Sequence, residues 1–339
     1  MFLNNLQLKT KNLKQLIFVL SLVLSFQSLV FSVVFAQTGD IFGPNLNFVV
    51  SKFRPLVGEN FSLKLRGSSD LNTKEANVAW YLNGAFQKDA SGMGMSEFSF
   101  IAGELGKSYE IRAVARTLAG KILENTYKTQ VSDLNLTWFA ETKAPDGFLG
   151  YAMPSPASTI HISGQPIIVS GNSQFNPSRL FYRWSLNGSE KDQASGFGKS
   201  EFIFKAPSFS GVNQLVTLEV ENEVKTIALR KSIKIKIVKP EVLIFNGNTT
   251  ISKDFVFKKG EEANLVAKPY FFGEDLWNLG FEWLFNNNKI EGNPDNPYIL
   301  RLKAPQEGDF KGTQFLSLKV ANKYNSSQKA EKNISIKIE

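Results

Sequence analysis

The chain has 339 residues, 42% of them hydrophobic and 21% charged, with a formal net charge of +8, one histidine and no cysteine. This balance belongs to globular chains of two or three domains, and the missing thiols exclude disulfide staples, zinc–cysteine sites and cysteine nucleophiles. Three of the eight net charges are Lys9, Lys11 and Lys14, which leaves +5 beyond residue 36 among alternating acids and bases; without a basic stripe to neutralise phosphates, nucleic acid is not expected as a partner.

After these lysines runs an uncharged, mostly apolar stretch from Leu16 to Ala36, closed by Val34-Phe35-Ala36 with the small-residue spacing of a signal-peptidase site. Residues 1–36 therefore read as an export signal cleaved before Gln37. The stretch is also long enough to span a bilayer, so a retained single N-terminal membrane anchor is the alternative. Both readings place the remainder outside the cytoplasm: in the periplasm, at the cell surface or secreted.

Beyond residue 40 one text is used three times. Val78-Ala79-Trp80-Tyr81-Leu82-Asn83-Gly84 returns as Tyr182-Arg183-Trp184-Ser185-Leu186-Asn187-Gly188, and Ala90-Ser91-Gly92-Met93-Gly94-Met95-Ser96-Glu97-Phe98 returns as Ala194 to Phe202, all 104 residues later. A third, worn copy holds Phe281-Glu282-Trp283-Leu284-Phe285-Asn286 and Tyr298 to Pro305. A period near a hundred residues means one domain type repeated, here over 40–133, 134–238 and 239–339.

Within each copy the elements follow one order. Gly58, Gly164 and Gly260 read as turn glycines, 22, 20 and 23 residues before their tryptophans, each followed by a short strand. Past the tryptophan come Tyr109 to Ala113, Val216 to Val220 and Leu316 to Val320, where apolar and polar residues alternate as a half-buried strand requires. Ile233, Ile235, Ile237 and then Ile334, Ile336, Ile338 close the second and third copies, with lysines at 234 and 236 facing outward and discouraging edge pairing. Many short strands, a tryptophan on the third main strand and no helical period predict an all-β chain of three tandem antiparallel β-sandwiches after the N-terminal segment.

The pattern of glycine, strand, aromatic-x-Trp-x-x-Asn-Gly and then Val216-x-Leu218-x-Val220-x-Asn222 resembles immunoglobulin-like sandwich domains, especially the PKD-like modules of bacterial surface proteins. Trp184 is followed by Ser-Leu-Asn-Gly and not by the signature usual in PKD modules, and the antibody cysteine pair is absent. The resemblance implies an extracytoplasmic spacer, adhesion or ligand-presenting protein without catalysis.

Trp80, Trp184 and Trp283, at equivalent positions within alternating strands, are expected in the cores. The Gly92-x-Gly94 and Gly196-x-Gly198 loops lead into strands, not helices, so they read as turns and not as phosphate cradles. His161 alternates with isoleucines in a strand and reads as an outward polar position, and Asp146, Asp275, Asp295 and Asp309 lack the spacing of a calcium loop. No catalytic residue, cofactor or metal site is expected. The segment 138–156, rich in proline, glycine and aromatics, reads as an ordered junction without regular structure between the first two domains. Its Trp138, Phe148 and Tyr151, with Trp277 in the third copy, are the candidate contacts for a protein or polysaccharide at the cell surface, unless the first three merely pad that junction.

Overall fold

The computed structural model describes residues 45–50, 52–67, 72–170, 173–307 and 313–339; the expected signal or anchor, 16–36, lies outside them. The described chain is β throughout apart from three single 3-10 turns at Lys88–Ala90, Pro177–Arg179 and Leu276–Asn278. It falls into two compact units, one formed by residues up to 51, 62–99 and 110–127, the other by 52–61, 100–109 and 128–339.

Six main strands build the first sandwich: β1 (Leu46–Val50), β2 (Asn60–Gly67), β3 (Asn77–Leu82), β4 (Glu97–Ile101), β5 (Ser108–Arg116) and β6 (Ile122–Gln130). They form the sheets β1-β2-β4 and β3-β5-β6. The second sandwich repeats this with β7 (Asp133–Ala140), β8 (Thr159–Ile167), β9 (Phe181–Leu186), β10 (Glu201–Lys205), β11 (Asn213–Glu221) and β12 (Ala228–Lys236), in sheets β7-β8-β10 and β9-β11-β12. The third adds one strand. Its members are β13 (Glu241–Asn246), β14 (Asp254–Phe257), β15 (Glu262–Tyr270), β16 (Leu279–Phe285), β17 (Ile299–Lys303), β18 (Gln314–Asn322) and β19 (Lys329–Ile338). Its sheets run β13-β15-β17 and β14-β19-β18-β16, with β14 parallel to β19. This is the tandem immunoglobulin-like architecture that the repeats predict.

Period-two alternation explains each core. In β8, Ile160 and Ile162 point inward with Leu134, Trp184, Val216, Leu218, Val220 and Ile235, while the intervening side chains face out. The third sandwich packs Ile244, Leu265, Trp283, Leu316, Leu318 and Ile334 in the same way. All three repeat tryptophans are buried. Each indole N–H donates to a backbone carbonyl 14 or 15 residues downstream: Trp80 to Met95 and Trp184 to Lys199 at 2.9 Å, Trp283 to Pro297 at 3.0 Å. That bond satisfies the one polar atom a buried tryptophan brings into the core.

The rest of the repeated motif is equally local. Asn83, Asn187 and Asn286 take positive φ at the hairpin turns. The Oδ1 of each accepts the backbone N–H of Glu110, Leu215 or Phe315 on the neighbouring strand at 2.8–2.9 Å. In the first two sandwiches the serine of Ala-Ser-Gly accepts from the tryptophan backbone N–H, Ser91 at 2.9 Å and Ser195 at 3.0 Å, and donates to the carbonyl of Gln87 or Lys191. The third sandwich replaces this relay with a paired hairpin in which Trp283 lies opposite Ile290, so the serine is dispensable and the copy looks worn.

Two expectations need correction. Gly164 is not a turn residue like Gly58 and Gly260; it lies inside β8, where a Cβ would sit 2.2 Å from the Cδ2 of Leu218 and 3.3 Å from the ring of Trp184. The small residue is required by what fills the core above it. The segment 138–156 is neither wholly irregular nor placed between the first two sandwiches: Trp138, Phe139 and Ala140 end β7, and the loop that follows docks on the third sandwich. The reason is directional. β7 carries the chain the length of the second sandwich before turning back antiparallel into β8, so their connection emerges at the far end.

At that far end the loop is fastened by backbone and amide hydrogen bonds. Lys143 exchanges two with the Phe271-Phe272 pair, Lys143 N–H to Phe272 O at 2.7 Å and Phe271 N–H to Lys143 O at 2.6 Å. Val238 N–H donates to Pro154 O at 2.9 Å. Gln328, buried to 1% exposure, donates to Ser155 Oγ and Pro156 O and accepts from Gly273 N–H and the Asn322 amide. All four hydrogen-bonding positions of that side chain are satisfied, the condition under which a polar network can be buried without penalty.

Candidate functional site

The outer face of the sheet β7-β8-β10 carries an arrangement that alternation alone would not place there. Antiparallel register sets His161 opposite Phe139 on one side and Ile203 on the other. The row beside it is Thr137, Ser163 and Glu201. Phe139 is 60% exposed and Ile203 54%. The Phe139 and His161 rings stack with centroids 4.5 Å apart and planes within 4°, and His161 Nε2 donates to Glu141 Oε1 at 2.8 Å. That hydrogen bond, followed by one from Thr159, holds the Glu141 carboxyl below the usual carboxylate range.

A row of two apolar side chains flanking an imidazole thus stands beside a polar one that is short at its centre, Ser163, and the step between them is a depression of about 400 Å³ lined by both rows with Trp138 and Ile162. Other outer faces are occupied differently. Across the same sandwich, Arg183 pairs with Glu190, Glu219 and Glu221 at 3.0–3.4 Å and Arg230 also reaches Glu219. On the first sandwich Lys64 pairs with Glu97 at 2.6 Å. On the third, Lys303 pairs with Glu262 at 2.8 Å, and Lys268 covers the Phe245 ring at 4.4 Å. Exposed charge pairs of this kind contribute little to stability and keep a strand face solvated; the Phe139–His161–Ile203 row leaves apolar surface open instead.

The candidates named from sequence fall elsewhere. Trp80, Trp184 and Trp283 are core residues. Trp138 is half-buried, its inner side packed on the second core, and it reaches the candidate face only as part of the floor of the depression. Phe148 packs edge-on against Tyr270 at 5.6 Å and Phe271 at 5.9 Å, on the third sandwich and not the first. Tyr151, on the same loop, is 86% exposed. Trp277 is 66% exposed on its 3-10 turn, 6.5 Å from Tyr298, with its carbonyl accepting from Lys323 Nζ at 2.9 Å. Phe148 and Trp277 therefore sit on the two loops that meet at Lys143 and Phe272, away from the sheet face.

Sequence reasoning missed Phe139 and Ile203 and set His161 aside. The available signal was the repeat itself: the first copy reads Phe98-Ser99-Phe100 where the second reads Phe202-Ile203-Phe204. Ser99 keeps the outward position polar, and Ile203 does not.

No family model and no curated protein matches the chain. Among solved structures, the chain is similar to the three N-terminal domains of the bacteriophage RB49 Highly Immunogenic Outer Capsid protein, at 13% identity and TM-score 0.25 over 88% of this chain and 100% of that one. It is also similar to fibronectin(III)-like modules of Clostridium thermocellum CbhA (15%, TM-score 0.27, 56% and 94%). A third is a Bacteroides ovatus protein of a mixed-linkage glucan utilization locus, SGBP-B, solved with a mixed-linkage heptasaccharide (11%, TM-score 0.22, 91% and 70%). Likeness at this level carries nothing about ligand or role.

Proposed function

We propose that the chain is a non-catalytic, extracytoplasmic interaction protein that meets its partner through the outer face of β7-β8-β10. The observation that supports this reading is the open Phe139–His161–Ile203 row, where two exposed apolar side chains and a stacked imidazole adjoin a depression. Exposed apolar surface rimmed by polar groups is the usual mark of a contact site. The leader supports export, and the fastened loop between the second and third sandwiches supports presentation by a fixed body and not a flexible tether.

Retention of the purified protein on intact cells of its source organism tests the reading. The double variant Phe139→Ser, Ile203→Ser, which gives the second sandwich the serine that the first already carries at 99, is expected to fold normally and to lose at least ~10-fold in retention, the scale of a contact hot spot. Retention equal to wild type would remove this face from the function. Cell fractionation with N-terminal sequencing tests export: a chain beginning at Gln37 in a soluble extracytoplasmic fraction means a released protein, an intact N-terminus in the membrane fraction means an anchor, and an intact chain in the cytoplasm would overturn export.

A further inference from the structure

The geometry points to a neutral saccharide as the ligand of the β7-β8-β10 face, an inference that rests on the reading of that face as the contact site. A sugar ring is amphipathic: its C–H faces are apolar, and hydroxyls that donate and accept project from its rim. The face offers a matching step. Phe139 and Ile203, with the His161 ring between them, form the wall, and Phe139 is exposed on β7, the end strand of this sheet among the described residues. Beside it, the Thr137 and Ser163 hydroxyls both donate and accept, and the Glu201 carboxylate accepts. Ser163 is the shortest side chain of its row and leaves the depth in which a ring can lie.

Other ligand classes fit less well. Glu201 borders the depression and Glu141 holds His161, so a phosphate, sulfate or uronate would meet like charge at close range. A folded protein partner calls for an interface of ~1,200–2,000 Å² with a central apolar cluster, whereas two exposed apolar side chains and an imidazole beside a depression of about 400 Å³ suit a small ligand. At the equivalent positions the first sandwich carries the Lys64–Glu97 ion pair in place of Ser163 and Glu201, and the third carries Asn264 and Arg301, hydrogen-bonded at 3.3 Å, in place of His161 and Ile203. One binding face per chain is therefore expected.

The test uses the full exported chain and a panel of neutral linear hexasaccharides, namely cellohexaose, xylohexaose, maltohexaose, mannohexaose and chitohexaose, followed by calorimetric titration. At least one is expected to bind. Phe139→Ala and Glu201→Gln are each expected to weaken that binding at least tenfold with unchanged thermal unfolding, whereas Phe315→Ala, an equally exposed phenylalanine on the third sandwich, leaves it as in wild type. Binding that survives both face variants, or no binding to any of the five sugars, overturns the inference. Intact cells separate the two levels of the argument. If cells retain the wild type, lose the Phe139→Ser, Ile203→Ser protein, and retain the wild type equally after periodate has cleaved their sugar diols, the saccharide inference fails and the interaction reading stands. If cells retain neither protein and no sugar binds, both fail.

Discussion

Ser91 and Ser195 each use one hydroxyl twice, accepting from a tryptophan backbone N–H and donating to a carbonyl four residues upstream. Ser195→Ala leaves the N–H of the fully buried Trp184 without its acceptor, which is expected to lower stability by about 1–3 kcal/mol in urea unfolding. The matching change in the third sandwich has no counterpart, since Trp283 is paired through the hairpin. Gly164→Ala meets Leu218 and Trp184 in a packed core and is expected to cost about 1–3 kcal/mol by the same assay; an unchanged midpoint would mean that Leu218 yields freely. The tryptophans, the asparagine turns and the Gly-x-Gly loops were legible because each acts within about thirty residues of its partner; the serine relay inside those loops was not read. Gly164 was not, because its reason is a side chain more than fifty residues away.

At the scale of the strand, the charged positions of the outer faces set the acid response. Glu97 and Glu262 have carboxyls held below the usual range, in each case first by a hydrogen bond from a cross-strand lysine and then by its charge, and Glu141 is lowered first by the His161 bond. A lowered folded-state pKa adds stability above the unfolded value of about 4.3, and that stability is lost as pH falls through the folded value. Carboxyl carbon NMR titration is expected to place all three midpoints below those of unpaired glutamates. High salt should move Glu97 and Glu262 back toward the ordinary value, since both pairs are exposed. Strand identity and facing were readable from alternation. The loop 141–158 was misplaced because linear order suggests that a junction lies between the domains flanking it, whereas a strand eight residues long carries it to the other end.

Across the whole molecule, the repeats conveyed the number and type of domains, but not which surface of which copy differs. That difference resides in single outward positions, Ser99 against Ile203, that a search for conserved patterning passes over. The second and third sandwiches belong to one compact unit, and the Gln328 side chain joins them through four hydrogen bonds, two to Ser155 and Pro156 and two to Gly273 and Asn322. Gln328→Ala strands Gly273 N–H and the buried Asn322 amide and is expected to destabilise the third sandwich by about 1–3 kcal/mol. Amide hydrogen exchange of the full chain should then show β18 losing protection while β11 keeps it; equal loss in both would mean that the two sandwiches open as one.

The parallel strand β14 bears on how this chain would behave under tension. Four register positions, Asp254 to Phe257 against Ser335 to Ile338, link it to β19, extended by Ser335 N–H to Lys253 O and Glu339 N–H to Phe257 O at 2.8 Å. A pull along β19 loads these bonds side by side, in shear, so that they must fail together. In the second sandwich β12 is paired on one side, with β11, among the described residues, and the same pull would meet a single antiparallel ladder. Forced unfolding follows the barrier and not the equilibrium, so two sandwiches of similar thermal stability are expected to yield in sequence when stretched, the second before the third.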